Sequence, residues 1–273
     1  MRKIKFSKIV GSGNDFVVID NRKFLIKERN KFAISVCDRK FGVGADGLLL
    51  LENSTDADFK MRIFNPDGSE PEMCGNGLRC IIKFAHDEGI KRKKKLTIET
   101  KSGILRGEII GEEIKAELKI IGNYKLNIEV NLENKKIKGH FINTGVPHFV
   151  IITDNTDKID IINDSRNIRY HKIFSPEGTN VDWITPENEK TIKIRTYERG
   201  VEDETLSCGT GSVASAIISY LLGYTKMPTK IIARSGEILT ISFDKNFSEI
   251  YLQGKVITTF KGHYFEKLIG EKH

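Results

Sequence analysis

A chain of 273 residues, 39% hydrophobic and 30% charged, can bury a sizeable core, and two domains are the natural expectation. No stretch approaches the ~18 consecutive apolar residues of a membrane-spanning helix, and the start, Met1-Arg2-Lys3-Ile4-Lys5-Phe6, lacks the apolar segment of a secretory signal. The net charge of +7 raises nucleic-acid binding, but the densest basic run, Lys91-Arg92-Lys93-Lys94-Lys95, has no interleaved aromatics and reads as a solvated loop.

In chain order, strands are predicted over 3–9 and 16–20, then a helix over 31–38. Strands follow over 47–52 and 59–64, a helix over 78–88, and strands over 96–100 and 104–110. The series then starts again with strands 136–143 and 149–153, helix 159–167, strands 180–185 and 191–197, helix 212–224, and strands 230–233 and 238–243. The helices after 78 and 212 have the least polar faces, which places them inside the sheet layers. The expected fold class is α+β, with two pseudo-symmetric domains. Each is a curved, barrel-like, mostly antiparallel sheet around one central helix, with an active site in the cleft between the domains. The boundary is expected near Gly122-Asn123, giving residues 1–122 and 123–261, with 262–273 returning to the first domain.

Short strings support a duplication. Cys74-Gly75-Asn76-Gly77 and Cys208-Gly209-Thr210-Gly211 lie 134 positions apart, and each opens into an apolar helical stretch. Phe16-Val17-Val18-Ile19 and Phe149-Val150-Ile151-Ile152 repeat at 133, as do Arg62-Ile63-Phe64-Asn65 with Arg195-Thr196-Tyr197-Glu198, and Ser102-Gly103 with Ser235-Gly236. Asp46 and Asp182 fit loosely, at 136. Four blocks in one order at nearly one offset indicate a repeated unit of about 120–130 residues, a usual domain size.

A thiol at a helix start sits near the positive end of the helix dipole, which favours thiolate. Two such thiols facing each other could act on opposite faces of one carbon. The unpaired N–H groups of the two helix starts suit a substrate carboxylate. One thiolate would then remove the adjacent α-proton while the other thiol delivers one, inverting the centre with no cofactor. A lone cysteine is more often an apolar core filler, the reading given to Cys37 and Cys80. No Cys-x-x-Cys spacing suggests zinc or a redox dithiol, and four cysteines in a chain this long make no disulfide framework. Gly11-Ser12-Gly13-Asn14-Asp15-Phe16 lacks the third glycine of a dinucleotide fingerprint.

Gly11-Ser12-Gly13-Asn14-Asp15-Phe16, Arg62-Ile63-Phe64-Asn65-Pro66-Asp67-Gly68-Ser69-Glu70 and Cys74-Gly75-Asn76-Gly77-Leu78-Arg79-Cys80 resemble the diaminopimelate epimerase family. So do Pro147-His148, Asn180, Tyr197-Glu198-Arg199-Gly200 and Thr205-Leu206-Ser207-Cys208-Gly209-Thr210-Gly211, in order from end to end. The resemblance implies a cofactor-independent amino-acid isomerase, usually a homodimer; the reduced cysteines, the absent signal segment and the solvated basic run point to the cytoplasm, with no metal and no nucleic-acid or membrane partner. Such an isomerase would interconvert LL- and meso-diaminopimelate for lysine and cell-wall synthesis. Cys208 would accept the α-proton of the LL substrate and Cys74 would donate to the opposite face, with His148 and Glu198 tuning the thiols. N–H groups of Gly75, Asn76, Gly209 and Thr210 would hold the reacting carboxylate. Asn14, Asn65, Asn180, Glu198 and Arg199 would hold the distal end, although the three asparagines also suit plain turns and Glu198-Arg199 a surface pair. Val146 stands where many members carry Asn, and Gly47 where some carry Gln. The rival readings are a proline- or histidine-type racemase of the same fold, and a basic binding module with structural cysteines.

Overall fold

The computed structural model describes residues 2–119, 122–133 and 135–266. The chain divides into two compact units, one running up to Ala116 and resuming at Lys255, the other spanning Glu117–Gly254. The expected return of 262–273 to the first domain falls, for 267–273, outside the described residues.

The first unit starts with β1 (Arg2–Gly11), β2 (Asn14–Asp20), α1 (Arg29–Cys37), β3 (Gly47–Glu52), β4 (Phe59–Phe64) and α2 (Gly75–Asp87). It continues with β5 (Lys95–Thr100), β6 (Gly103–Ile110) and β7 (Glu113–Leu118), whose last residues cross the unit boundary, and takes back β17 (Ile257–Glu266). Its strands are ordered β17-β1-β2-β3-β4-β5-β6-β7, with β2–β3 and β4–β5 parallel and the other pairs antiparallel. Parallel neighbours cannot be joined by a tight hairpin and need a crossover. Here the two crossovers contain α1 and α2.

The second unit repeats this plan. It comprises β8 (Tyr124–Asn131), β9 (Lys136–Asn143), β10 (Pro147–Ile152), α3 (Ile161–Arg169), β11 (Asn180–Asn188), β12 (Thr191–Glu198), the short β13 (Asp203–Thr205) and α4 (Gly209–Leu221), then β14 (Thr229–Ile232), β15 (Ile238–Phe243) and β16 (Ile250–Lys255). The order β8-β9-β10-β11-β12-β14-β15-β16 has its parallel pairs at β10–β11 and β12–β14, around α3 and α4. β17 and β8 play the same part, each flanking the first strand of a repeat.

Helix α2 packs on β1, β2, β3, β4 and β6, and α4 on β9, β10, β11, β12, β14 and β15. In α2 every residue from Asn76 to Ile82 is buried, with Phe84 and Ala85; in α4 every residue from Gly211 to Ser219 is. The central helices expected from sequence are present. The pairings among described residues leave both sheets open rather than closed as barrels. α1 lies on the other face, burying Phe32, Ala33, Val36 and Cys37 against Val17, Ile19, Leu48 and Leu50. With helices on both sides, β3 is buried at all six positions, which explains its unbroken Gly-Leu-Leu-Leu-Leu-Glu.

Both cysteine helices begin three residues before their predicted starts, at Gly75 and Gly209. Glycine, asparagine and threonine are weak helix formers, so the first turn is carried by its cap and its packing.

Candidate functional site

In the first unit Cys74 is the N-cap of α2, with extended backbone, and its Sγ accepts from the Gly77 N–H at 3.4 Å. A Cβ on Gly77 would stand 3.2 Å from Leu49 Cδ2 and 3.4 Å from Ile63 Cδ1, so the tight turn follows from packing. The Asn76 side chain is engaged inside the protein: it donates to Asn14 Oδ1 at 2.7 Å and accepts from Arg79 at 2.7 Å. Arg79, fully buried, also donates to Ser12 Oγ at 2.5 Å and to the Lys255 carbonyl at 3.2 Å. This guanidinium pins the Gly11–Asn14 turn to the helix start, and in sequence it stands as a cation between Leu78 and the apolar run Cys80-Ile81-Ile82. Asn76 therefore has its backbone N–H, not its amide, available to a ligand.

Asn14 also donates to Asp46 at 3.3 Å, and Asp46 accepts from the Asp15 N–H and from Arg39. Burial alone would raise the Asp15 carboxyl, but Lys8 at 2.7 Å and Arg39 at 3.1 Å hold it down to about 2. Asn65 follows the last residue of β4, and Leu48 pairs with Phe64, so it lies at the sheet end where β3 begins. Its hydrogen bonds run within its own turn, to Ser69 at 2.8 and 2.9 Å. A Cβ on Gly47 would lie 3.0 Å from the Phe64 carbonyl, so that position has little room for a side chain.

In the second unit Cys208 caps α4 in the same way, accepting from Gly211 N–H at 3.4 Å. Its Sγ also lies 3.3 Å from Thr210 Oγ1. His148 begins a buried chain: Nδ1 is 2.7 Å from Asp182 Oδ2 and Nε2 is 3.0 Å from Thr210 Oγ1. Asp182 Oδ1 accepts from Thr196 Oγ1 at 2.7 Å. Asn180 donates to the Pro147 carbonyl at 3.0 Å, approaches His148 Nε2 at 3.4 Å, and accepts from Arg199 N–H at 2.7 Å. It thereby ties β10 and β11 to the end of β12. Among the described residues the Arg199 guanidinium reaches Glu177, 3.4 Å from its carbonyl and 3.8 Å from its carboxylate. Burial raises the half-buried Glu198 carboxyl above its ordinary range. Burial raises the Cys208 thiol well above its usual value, aided by Glu198 and Asp182 and opposed by Thr210 and Gly211 N–H.

Asp182 was visible in sequence only as a loose match to Asp46, and the structure replaces that match. A Cβ on Gly211 would meet Asp182 Oδ1 at 2.6 Å, as one on Gly77 would meet Leu49. Asp182 is thus the counterpart of Leu49, at the offset of 133. Gly211→Ala places a methyl against this pinned carboxylate, so we expect a loss of about 1–3 kcal/mol of stability with reduced activity. Thermal melting and turnover of the variant check this.

Sequence comparison bears on both units. Two successive stretches, residues 6–125 and 140–259, match the family model described as diaminopimelate epimerase. The chain belongs to the diaminopimelate epimerase family. The diaminopimelate epimerase of Aquifex aeolicus is 44% identical, over 97% of this chain and 99% of its own. That of Methanocella arvoryzae is also 44% identical, over 96% and 97%. Among solved structures, a Bacillus anthracis phenazine biosynthesis protein of the PhzF family superposes with TM-score 0.74 at 19% identity, over 97% of this chain and 100% of its own. A probable proline racemase from Agrobacterium radiobacter gives 0.71 at 14%, over 98% and 94%. These two likenesses show that this chain shares its fold with both proteins. No described helix is long and apolar enough to cross a membrane.

Proposed function

We propose that this protein is a diaminopimelate epimerase, interconverting LL- and meso-2,6-diaminopimelate in lysine and cell-wall precursor synthesis. One observation carries the chemistry: each repeat caps a buried helix with a cysteine whose sulfur accepts a first-turn N–H. Cys208 takes the α-proton from the LL substrate, and Cys74 delivers a proton to the opposite face. The mechanism requires both helix starts to meet at one α-carbon. N–H groups of Gly75, Asn76, Gly209 and Thr210 hold the carboxylate, where fixed dipoles offset the charge that develops as the proton leaves. Arg199 and Asn180 hold the distal carboxylate and Glu198 the distal ammonium, with Asn14 and Asn65 supporting them. His148 and Glu198 set the acidity of the thiols. The enzyme acts in the cytoplasm as a homodimer, which light scattering tests.

Measuring kcat/KM side by side for LL-diaminopimelate, lysine, histidine and proline tests the substrate. Diaminopimelate should be preferred strongly over lysine, which lacks the distal carboxylate. Best turnover of histidine or proline would assign a racemase of the same fold instead. Both proton-transfer groups are thiols, so activity should survive exhaustive EDTA and gain nothing from pyridoxal phosphate. Complete loss with EDTA, or dependence on added pyridoxal phosphate, would refute that part.

A further inference from the structure

Cys208 presents a difficulty for a base. The residue is buried, 8% exposed, and its thiol lies near two carboxylates, Glu198 and Asp182, so its proton is held tightly. A base in that state needs somewhere to put the proton before it can take one from substrate. The hydrogen bonds around it supply a route.

A carboxylate only accepts hydrogen bonds, so the 2.7 Å contact with Asp182 fixes the hydrogen of neutral His148 on Nδ1. That leaves the Nε2 lone pair facing Thr210 Oγ1 at 3.0 Å. The hydroxyl donates to Nε2 and keeps its own lone pair toward Cys208 Sγ, 3.3 Å away. His148 and Asp182 are both fully buried. The titratable groups facing His148 in this unit are Asp182 on β11, Glu198 on β12 and Cys208 at the start of α4.

The fold does not demand this chain. At the equivalent contact with the other helix, the first repeat uses Leu49 and Ile63 where the second uses Asp182 and Thr196. An apolar pair therefore satisfies the same architecture, while a buried carboxylate is costly unless fully partnered. Equally, Phe16, paired with Gly47, stands in the first unit where His148, paired with Asn180, stands in the second, and Asn76 stands where Thr210 does; a phenyl ring cannot accept a proton.

We propose that Asp182 and Thr210 are positioning residues that join Cys208 to His148 in a proton relay confined to the second repeat. The Cys208 Sγ proton passes to Thr210 Oγ1 as the Thr210 hydroxyl hydrogen passes to His148 Nε2. The products are a thiolate, an intact hydroxyl and an imidazolium whose Nδ1–H stays on the Asp182 carboxylate. This rests on the reading of Cys208 as the base toward the LL substrate.

The test compares wild type, Thr210→Val, Thr210→Ser and Asp182→Asn in pH profiles of kcat/KM and in kcat and KM for LL-diaminopimelate. Valine removes the hydroxyl but keeps the backbone N–H assigned to the carboxylate. Thr210→Val should lower kcat by roughly 10²-fold or more, leave KM little changed, and move the acid limb to higher pH, because Cys208 must then lose its proton unaided. Thr210→Ser should restore both. Asp182→Asn should lower kcat through the wrong imidazole tautomer; if it fails to fold, the two Thr210 variants still decide. Wild-type kcat and an unmoved acid limb in Thr210→Val, or no recovery in a well-folded Thr210→Ser, would overturn the relay. A wild-type enzyme inert toward diaminopimelate would overturn the functional reading and the relay with it.

Discussion

Cys74→Ser and Cys208→Ser are each expected to lower epimerisation by roughly 10²–10⁴-fold or more while leaving the fold intact. A hydroxyl is far too weak an acid to stand in for a thiolate, and removing either partner stops a reaction that needs a base on one face and an acid on the other. The structure says why the fold should survive. Both cysteines act as N-caps, each sulfur accepting one first-turn N–H at 3.4 Å. Serine is among the preferred N-cap residues, so the substitution keeps the cap and changes only the acidity. Circular dichroism and melting close to wild type, with turnover lost, is the expected pattern. Unfolding of both variants would make the cysteines structural.

Arg199→Ala should act on substrate binding rather than on the thiols. Among the described residues its guanidinium reaches Glu177, at 3.8 Å from a largely exposed carboxylate, so little internal structure depends on it. Facing a substrate carboxylate, it would form a charge-assisted, two-pronged contact. Leaving that carboxylate unpaired costs roughly 2–5 kcal/mol, or some 30- to several-thousand-fold in kcat/KM for diaminopimelate. The backbone N–H of Arg199, which holds Asn180 at 2.7 Å, is retained in the variant. Thermal stability should therefore be unchanged. A kcat/KM for diaminopimelate equal to wild type would remove Arg199 from the distal site.

The duplication and most of the sheet were legible in sequence because they rest on local signals: short apolar runs, and two Cys-Gly-x-Gly strings opening apolar helices. β8, β16 and β17 were not predicted; β8 and β17 are largely exposed, with polar residues set between their apolar ones. β17 is recruited by pairing with β1 across almost the whole chain, which no local pattern reports. At the site, the helix-capping cysteines were legible and their surroundings only in part. His148, Asp182 and Thr210 come from β10, β11 and α4, and only the parallel register His148↔Asn180 brings the first two within reach. Asp182 reads in sequence as the one acid of the predicted strand 180–185. Its meaning appears once Gly211 and Gly77 show that it replaces a leucine.

The central claim, proton removal by one thiol and delivery by the other, is tested most directly by epimerising LL-diaminopimelate in deuterium oxide to low conversion. The two products of interest are the meso isomer formed and the LL isomer recovered, each analysed for deuterium at the α-carbon. Two bases predict one solvent deuterium at the inverted carbon of meso and none in recovered LL. Unlabelled meso product, or label in recovered LL substrate at the same extent as in product, would mean that a single group handles both protons and would contradict the account.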